Sequence, residues 1–319
     1  METQGTGLLR ALQSGLADTL DTFCNGAEAI PYTKPANVDY VSLQASNMLD
    51  QIEQIAANSS KDISINLTDM NKIDINQDKE FITDFNGYKL AVINSQIWFT
   101  EENTKIQIHT QEGDSIKTIT VDDAGHIRSF IGTHNVALVA TSKGIFIINT
   151  QDYKSHRMAT GNFVDLSELD ETIYALDNNE SILYVFEFKH ETPMLRMAQT
   201  MEIHEYSKHR HNTLQVTMDF IYIAMWDPNT IQKYNHNCEL ITTHRDCIGP
   251  RLCGSDPLGH ILVACNDKTL KIMSPNGDLI KVEGPFCDKY IWDATVAENK
   301  LFSRCGHISS NICVIYTLT

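Results

Sequence analysis

Apolar residues in this chain come in short runs broken by polar turns, and the runs recur at a nearly fixed interval. Aligned on the first apolar residue of each phrase, they begin at Ile97, Val136, Ile173, Ile221, Ile261 and Leu301, with separations of 39, 37, 48, 40 and 40 residues. Each phrase reads as strand, turn, strand, polar turn, strand, tight turn, strand. The tight turns carry Gly, Asn or Pro, as in QEGD, SPNGD and HNCE, each opening a final strand. A period of about 40 residues holding several short strands is the signature of a propeller blade. The pattern therefore predicts an all-β, six-bladed propeller.

Residues 1–60 follow a different period. Leu9, Leu12, Leu16, Leu20 and Phe23 recur at helical spacing, and after CNGAEAIPYTKP a second set does so. That set, Val38, Val41, Ala45, Met48, Ile52 and Ile55, steps by 3 and 4 and forms a heptad seam of under three heptads. Helices this short are marginal alone, so the seam must pack. It packs either within this chain or across a dimeric coiled coil, which leaves the oligomeric state open. From Ile63 the period becomes two, in ISINL and KIDI. The expected organisation is a helical segment over 1–60 and the propeller over 61–319.

The last phrase ends at NICVIYTLT without a fourth strand. A closed ring tolerates no unpaired strand edge, so a strand from the propeller's own N-terminal end must complete the last blade. The alternating stretch Ile63–Ile75 is the expected partner of residues 311–318.

Composition narrows the function. The formal charge of −16 repels phosphate backbones and disfavours nonspecific RNA binding. No apolar run approaches the roughly 20 residues needed to span a bilayer, and METQGTGLLRALQSGL lacks the core of a secretory signal. The eight cysteines include no C-x-x-C pair and read as buried thiols of a reducing compartment. The expectation is a cytoplasmic protein without a membrane partner.

Candidate chemistry is sparse. Some six-bladed propellers hold Ca²⁺ in the central channel with oxygen ligands from the innermost strands. Counting eight residues back from each anchor gives Lys89, Arg128, Asp165, Thr213, Cys253 and Asp293 as the channel-mouth ring. Two cations, two carboxylates, a hydroxyl and a thiol cannot form an oxygen cage, but they can bind a charged peptide group. A second cluster, His204, His209, Arg210 and His211 in HEYSKHRHNT, occupies the longest connection. It lacks a carboxylate or cysteine at ligand spacing and reads as a solvated loop that could meet an acidic partner. Trp-Asp pairs at 226–227 and 292–293 are out of register with each other, unlike those of WD repeats. No G-x-S-x-G, P-loop or G-x-G-x-x-G occurs.

One phrase, HILVACNDKTLKIMSPNGDLIKVEG, resembles the NHL propeller repeat through Gly259, His260, Ile261, Val263, Ala264, Asn266, Leu270, Ile272 and Gly277. The other five are degenerate versions. With helical heptads upstream, the chain resembles the C-terminal part of tripartite-motif (TRIM) proteins that carry NHL propellers. In that family a RING recruits the ubiquitin-conjugating enzyme, B-boxes bind zinc, the coiled coil dimerises and the propeller selects the target. Clustered Cys/His ligands for RING or B-box zinc are missing from this sequence. The resemblance thus implies a non-enzymatic, cofactor-free protein-recognition module, possessing the target-selecting half of a ligase assembly. RNA binding, which some NHL propellers perform, and a Ca²⁺-dependent lactonase- or esterase-like activity are the alternatives.

Overall fold

The computed structural model describes residues 75–83, 89–101, 104–133, 135–189, 193–256, 259–284, 290–297, 299–307 and 310–318. The helical and heptad segments expected within 1–60 lie outside these residues. The described residues form strands and turns, with no helix among them.

The chain enters on β1 (Ile75–Thr83) and then lays down five successive four-strand meanders. The first is β2 (Leu90–Ile93), β3 (Gln96–Glu101), β4 (Lys105–His109) and β5 (Ser115–Thr120). The second is β6 (Ile127–Thr133), β7 (Val136–Thr141), β8 (Gly144–Asn149) and β9 (Ser155–Thr160). The third is β10 (Phe163–Leu169), β11 (Thr172–Asp177), β12 (Ile182–Lys189) and β13 (Met194–Glu202). The fourth is β14 (Thr213–Val216), β15 (Ile221–Met225), β16 (Thr230–Tyr234) and β17 (Leu240–His244). The fifth is β18 (Arg251–Ser255), β19 (Ile261–Ala264), β20 (Leu270–Met273) and β21 (Leu279–Glu283). A sixth sheet combines β22 (Tyr290–Ala297), β23 (Lys300–His307) and β24 (Ser310–Leu318) with β1 in the order β1-β24-β23-β22. All six sheets are antiparallel blades of one propeller, and every predicted anchor residue lies on the second strand of its blade.

Six apolar clusters hold the ring together, one at each seam between neighbouring blades. The middle strands feed both flanking seams. On β3, Ile97 and Phe99 pack toward the sixth blade, and Trp98 packs toward the second. On β7, Ala137 and Val139 face the first blade while Leu138 and Ala140 face the third. A strand covered on both faces reads as a continuous apolar run, which is why the repeats announce themselves as doublets and triplets. The fourth strands have one neighbour and face water, so β5, β9 and β17 are mostly exposed or half-buried.

The ring closes through the N-terminal strand, but not through the one expected. β1 pairs antiparallel with β24, from Ile75 opposite Leu318 to Thr83 opposite Asn311. The expected partner, 63–75, meets this strand only at Ile75. The difference has a physical cause. The closing strand is an outermost one, and Gln77, Asp78, Lys79 and Glu80 are exposed, so it lacks the half-buried alternation that drew attention to ISINL. Its apolar anchor is Phe81, which packs on the cluster containing Leu90, Phe302 and Ile315.

Closure by one short strand yields a direct expectation. Removing residues 1–83 exposes the β24 edge and should abolish cooperative unfolding. Phe81→Ala in the full chain should cost about 2 kcal/mol, less than the roughly 3–5 kcal/mol of a fully buried Phe because the ring is only partly covered. Denaturant titration followed by tryptophan fluorescence checks both, and an unchanged midpoint for either variant contradicts the closure.

Candidate functional site

The first strand of each blade lines the axis, where its inner edge has no strand to pair with. The polar side chains of these strands meet that deficit. Leu90 N donates to Asp293 Oδ2 at 2.9 Å, Leu214 N to Asp165 Oδ2 at 2.7 Å, and Leu252 N to Thr213 Oγ1 at 2.8 Å. In each case a side chain from one blade caps the inner strand of the next. Val216 N donates likewise to Ser167 Oγ at 3.0 Å, and Arg251 Nη1 to the Ile291 carbonyl at 3.3 Å. Ser129 hydrogen-bonds Asp165, and Lys89 Nζ lies 3.8 Å from Asp293 Oδ1. Five of the six seams are stitched in this way. At the remaining one, between the first and second blades, Gly132 sits so close that a Cβ there would be 2.8 Å from Ile93 Cγ2.

In strand register the ring is Lys89, Ser129, Asp165, Thr213, Arg251 and Asp293, opposite Thr100, Ala140, Leu176, Ala224, Ala264 and Arg304. Four of the six expected positions, Lys89, Asp165, Thr213 and Asp293, stand in it and line the axial cavity of about 100 Å³. Two expectations are corrected. Arg128 is displaced by Ser129, which pairs with Ala140, because the in-phase anchor of that blade is the fully buried Ala137, not the half-buried Val136. Cys253 lines the cavity but is two residues past Arg251, because the β18–β19 hairpin is longer than its counterparts. One signal could have located both. Each ring residue directly precedes an apolar inner-strand residue: Leu90, Phe130, Leu166, Leu214, Leu252 or Ala294.

Burial governs the electrostatics here. It raises the Asp165 carboxyl, with the Asp293 charge adding to the effect, against the opposing pull of Lys89, Ser129 and the Leu214 N–H. Burial also draws the Arg251 guanidinium down to about 10 and pushes the Cys253 thiol up to about 12.

The histidine cluster splits. His204 is exposed near Glu205, while its backbone is pinned by Tyr234 Oη at 3.0 Å and Gln232 Nε2 at 2.7 Å. His209 and His211 are not solvated loop residues, and this corrects the sequence reading. His209 stacks parallel on Trp226 with ring centroids 5.9 Å apart, and His211 sits 5.2 Å from the same indole. Arg251 also packs on that indole, its guanidinium carbon 4.7 Å from the ring centroid. Gly249, at φ 52°, lets the chain pass: a Cβ there would come within 2.9 Å of Trp226 Cζ3. Trp226 thus acts as a packed centrepiece joining the 204–212 connection to the fifth blade, a role invisible to the repeat pattern.

A roomier concavity lies elsewhere. An open groove of about 780 Å³ runs between the second and third blades, lined by Arg157, Met158, Asn162, Glu180, Tyr184 and Met197 among others. Met197 is 60 % exposed and Met194, on the same strand, 50 %.

No family model matches the chain, and no curated protein matches it. Solved structures do. BamB from Moraxella catarrhalis is 13 % identical, with 72 % of this chain and 71 % of that one covered and a TM-score of 0.48. An auxiliary nutrient binding protein from Bacteroides thetaiotaomicron VPI-5482 is 11 % identical, with 77 % and 76 % covered and a TM-score of 0.55. The second likeness supports the propeller fold and nothing finer.

Asp165 permits a test by pH. The folded state holds its proton more tightly than the unfolded chain, whose carboxyl has the ordinary value of 3.8. Its contribution to stability is therefore greatest below that value and falls as pH rises through the folded one. Asp165→Asn keeps an acceptor for Leu214 N and removes the titration, so its stability relative to the unaltered protein should climb with pH across that window. Asp165→Ala leaves a buried N–H unpaired and should cost about 1–3 kcal/mol at neutral pH. Parallel pH profiles for the Asn variant and the unaltered protein contradict the burial argument.

Proposed function

We propose that this propeller is a protein-recognition module that seats a partner segment in the groove between the second and third blades. One feature carries the reading: the axial channel is taken up by side chains that stitch the blades and leave about 100 Å³, while the roomy concavity is an open groove. A groove of that size with two methionines, an arginine and two carboxylates on its walls suits an extended segment of mixed polarity. Methionines adapt to partner side chains at little steric cost, and rigid flanking blades hold the walls in place.

The resemblance to NHL propellers extends this reading to target selection within a ubiquitin-ligase assembly, with the transfer chemistry supplied by another chain. The same reading makes the protein non-enzymatic, cofactor-free and cytoplasmic. The ring in register argues against a Ca²⁺-dependent hydrolase on donor chemistry: Lys89 and Arg251 occupy two of the six positions where hard oxygen ligands would be required.

Met197→Asp places a charge on the exposed wall without disturbing the core. Proximity labelling in cells with the full chain and with this variant should show specific partners lost or depleted at least tenfold, a change of about 1.4 kcal/mol. Recovery of the same partners at the same yield contradicts the groove as the binding surface.

A further inference from the structure

Four cations gather at one end of the channel, beside Asp165 and Asp293, whose carboxylates are engaged with Leu214 N, Leu90 N and Lys89. Lys89 immediately precedes β2, Arg128 is the second residue of β6, Arg251 opens β18, and Arg210 lies just ahead of β14. Because the inner strands run in the same direction, all four gather where those strands begin. Trp226, just after the antiparallel β15, belongs to the same end. Their mutual proximity registers on the ionisable groups among them. Burial, then the charges of Arg251, Lys89, Arg210 and His209, hold the His211 imidazole neutral, down to about 2. Burial also lowers Arg128, which feels Arg210 as well as Tyr206 and Asp177.

Two of these guanidinia have hydrogen-bonding capacity left over. Arg251 is 4 % exposed, one face covered by Trp226, yet its Nε has no acceptor. Arg128 Nη1 is buried and likewise has none. Among the described residues no carboxylate forms an ion pair with either. A buried guanidinium without a full set of acceptors costs several kcal/mol. The stitching function does not require that cost, since Ser129 and Thr213 serve the same ring with hydroxyls. A planar fork of donors beside a flat aromatic wall matches the geometry of a carboxylate or a phosphoryl group. Ser129 and Leu252, the residues that follow these two arginines, line the axial cavity of about 100 Å³ together with Lys89, a volume that suits the tip of one side chain.

We propose that this end of the channel is an oxyanion-binding site that takes an acidic or phosphorylated side chain of a partner protein, paired to Arg251 and Arg128 and steered by Arg210 and Lys89. The protein carrier rests on the recognition reading above; the anion chemistry does not. A carboxylate and a phosphoryl group offer the same chemistry, and the probes separate them.

Binding is measured by calorimetry on the full chain with inorganic phosphate, a glutamate-rich peptide, the same peptide carrying phosphoserine, and a short single-stranded RNA. The expected result is saturable binding of phosphate and tighter binding of at least one peptide, with Arg128→Gln and Arg251→Lys each weakening it tenfold or more. Arg251→Lys keeps the charge and removes the fork; should it not fold, the more exposed Arg128→Gln decides alone, its melting curve matching that of the unaltered protein. Preference for the phosphoserine peptide assigns a phosphoryl ligand, and equal binding of both peptides a carboxylate. Silence from all probes, or binding indifferent to both substitutions, overturns the site. Phosphate binding with both peptides silent overturns the protein carrier, as does RNA binding more tightly than either peptide. A Met197→Asp control keeps the groove's failure separate, because it should leave every one of these affinities unchanged.

Discussion

A ring of sheets leaves the inner edge of every blade without a neighbouring strand, and the rest of this molecule is arranged around that deficit. Backbone N–H groups on such an edge are buried and cannot be left unpaired at less than about 1–3 kcal/mol each. The chain answers with Asp165, Thr213 and Asp293, each reaching from one blade to the inner strand of the next. Those bonds do more than satisfy donors. They hold the blades at a fixed rotation, so that the apolar clusters at the seams close over one another, and they leave an axial cavity of about 100 Å³.

That arrangement divides the ionisable residues of the axis into two groups. Lys89, Asp165 and Asp293 are engaged with one another or with backbone. Arg128 and Arg251 form the second group: each keeps donors in reserve. Trp226 joins these elements, packing against both a histidine and a guanidinium. The recognition proposed for this protein therefore uses what the girdle leaves over, the groove between two blades and the arginine-lined end of the channel.

Much of the fold was legible because the middle strands are buried on both faces. Residues such as Ile97, Trp98 and Phe99 on β3 announce a strand by their continuity, and the six anchors reproduce the second strand of every blade. The outermost strands carry no such signal: Gln77, Asp78, Lys79 and Glu80 face water, and the closing strand was placed too early along the chain. The axial ring was legible as far as hairpin lengths stayed constant. An apolar run that begins one residue early at Val136 and one longer hairpin before Ile261 shifted two positions. The meeting of His209, His211, Trp226 and Arg251 had no periodic trace, since it joins a connection to a turn and to the next blade.

Amide hydrogen exchange at Leu90, Leu214 and Leu252 tests the girdle most directly. If the side-chain caps hold the blades together, these three inner-edge amides exchange only through global unfolding, as slowly as amides in the centre of β3 or β7. Exchange at rates comparable to the solvent-exposed turns, in a protein that remains folded, would contradict the account.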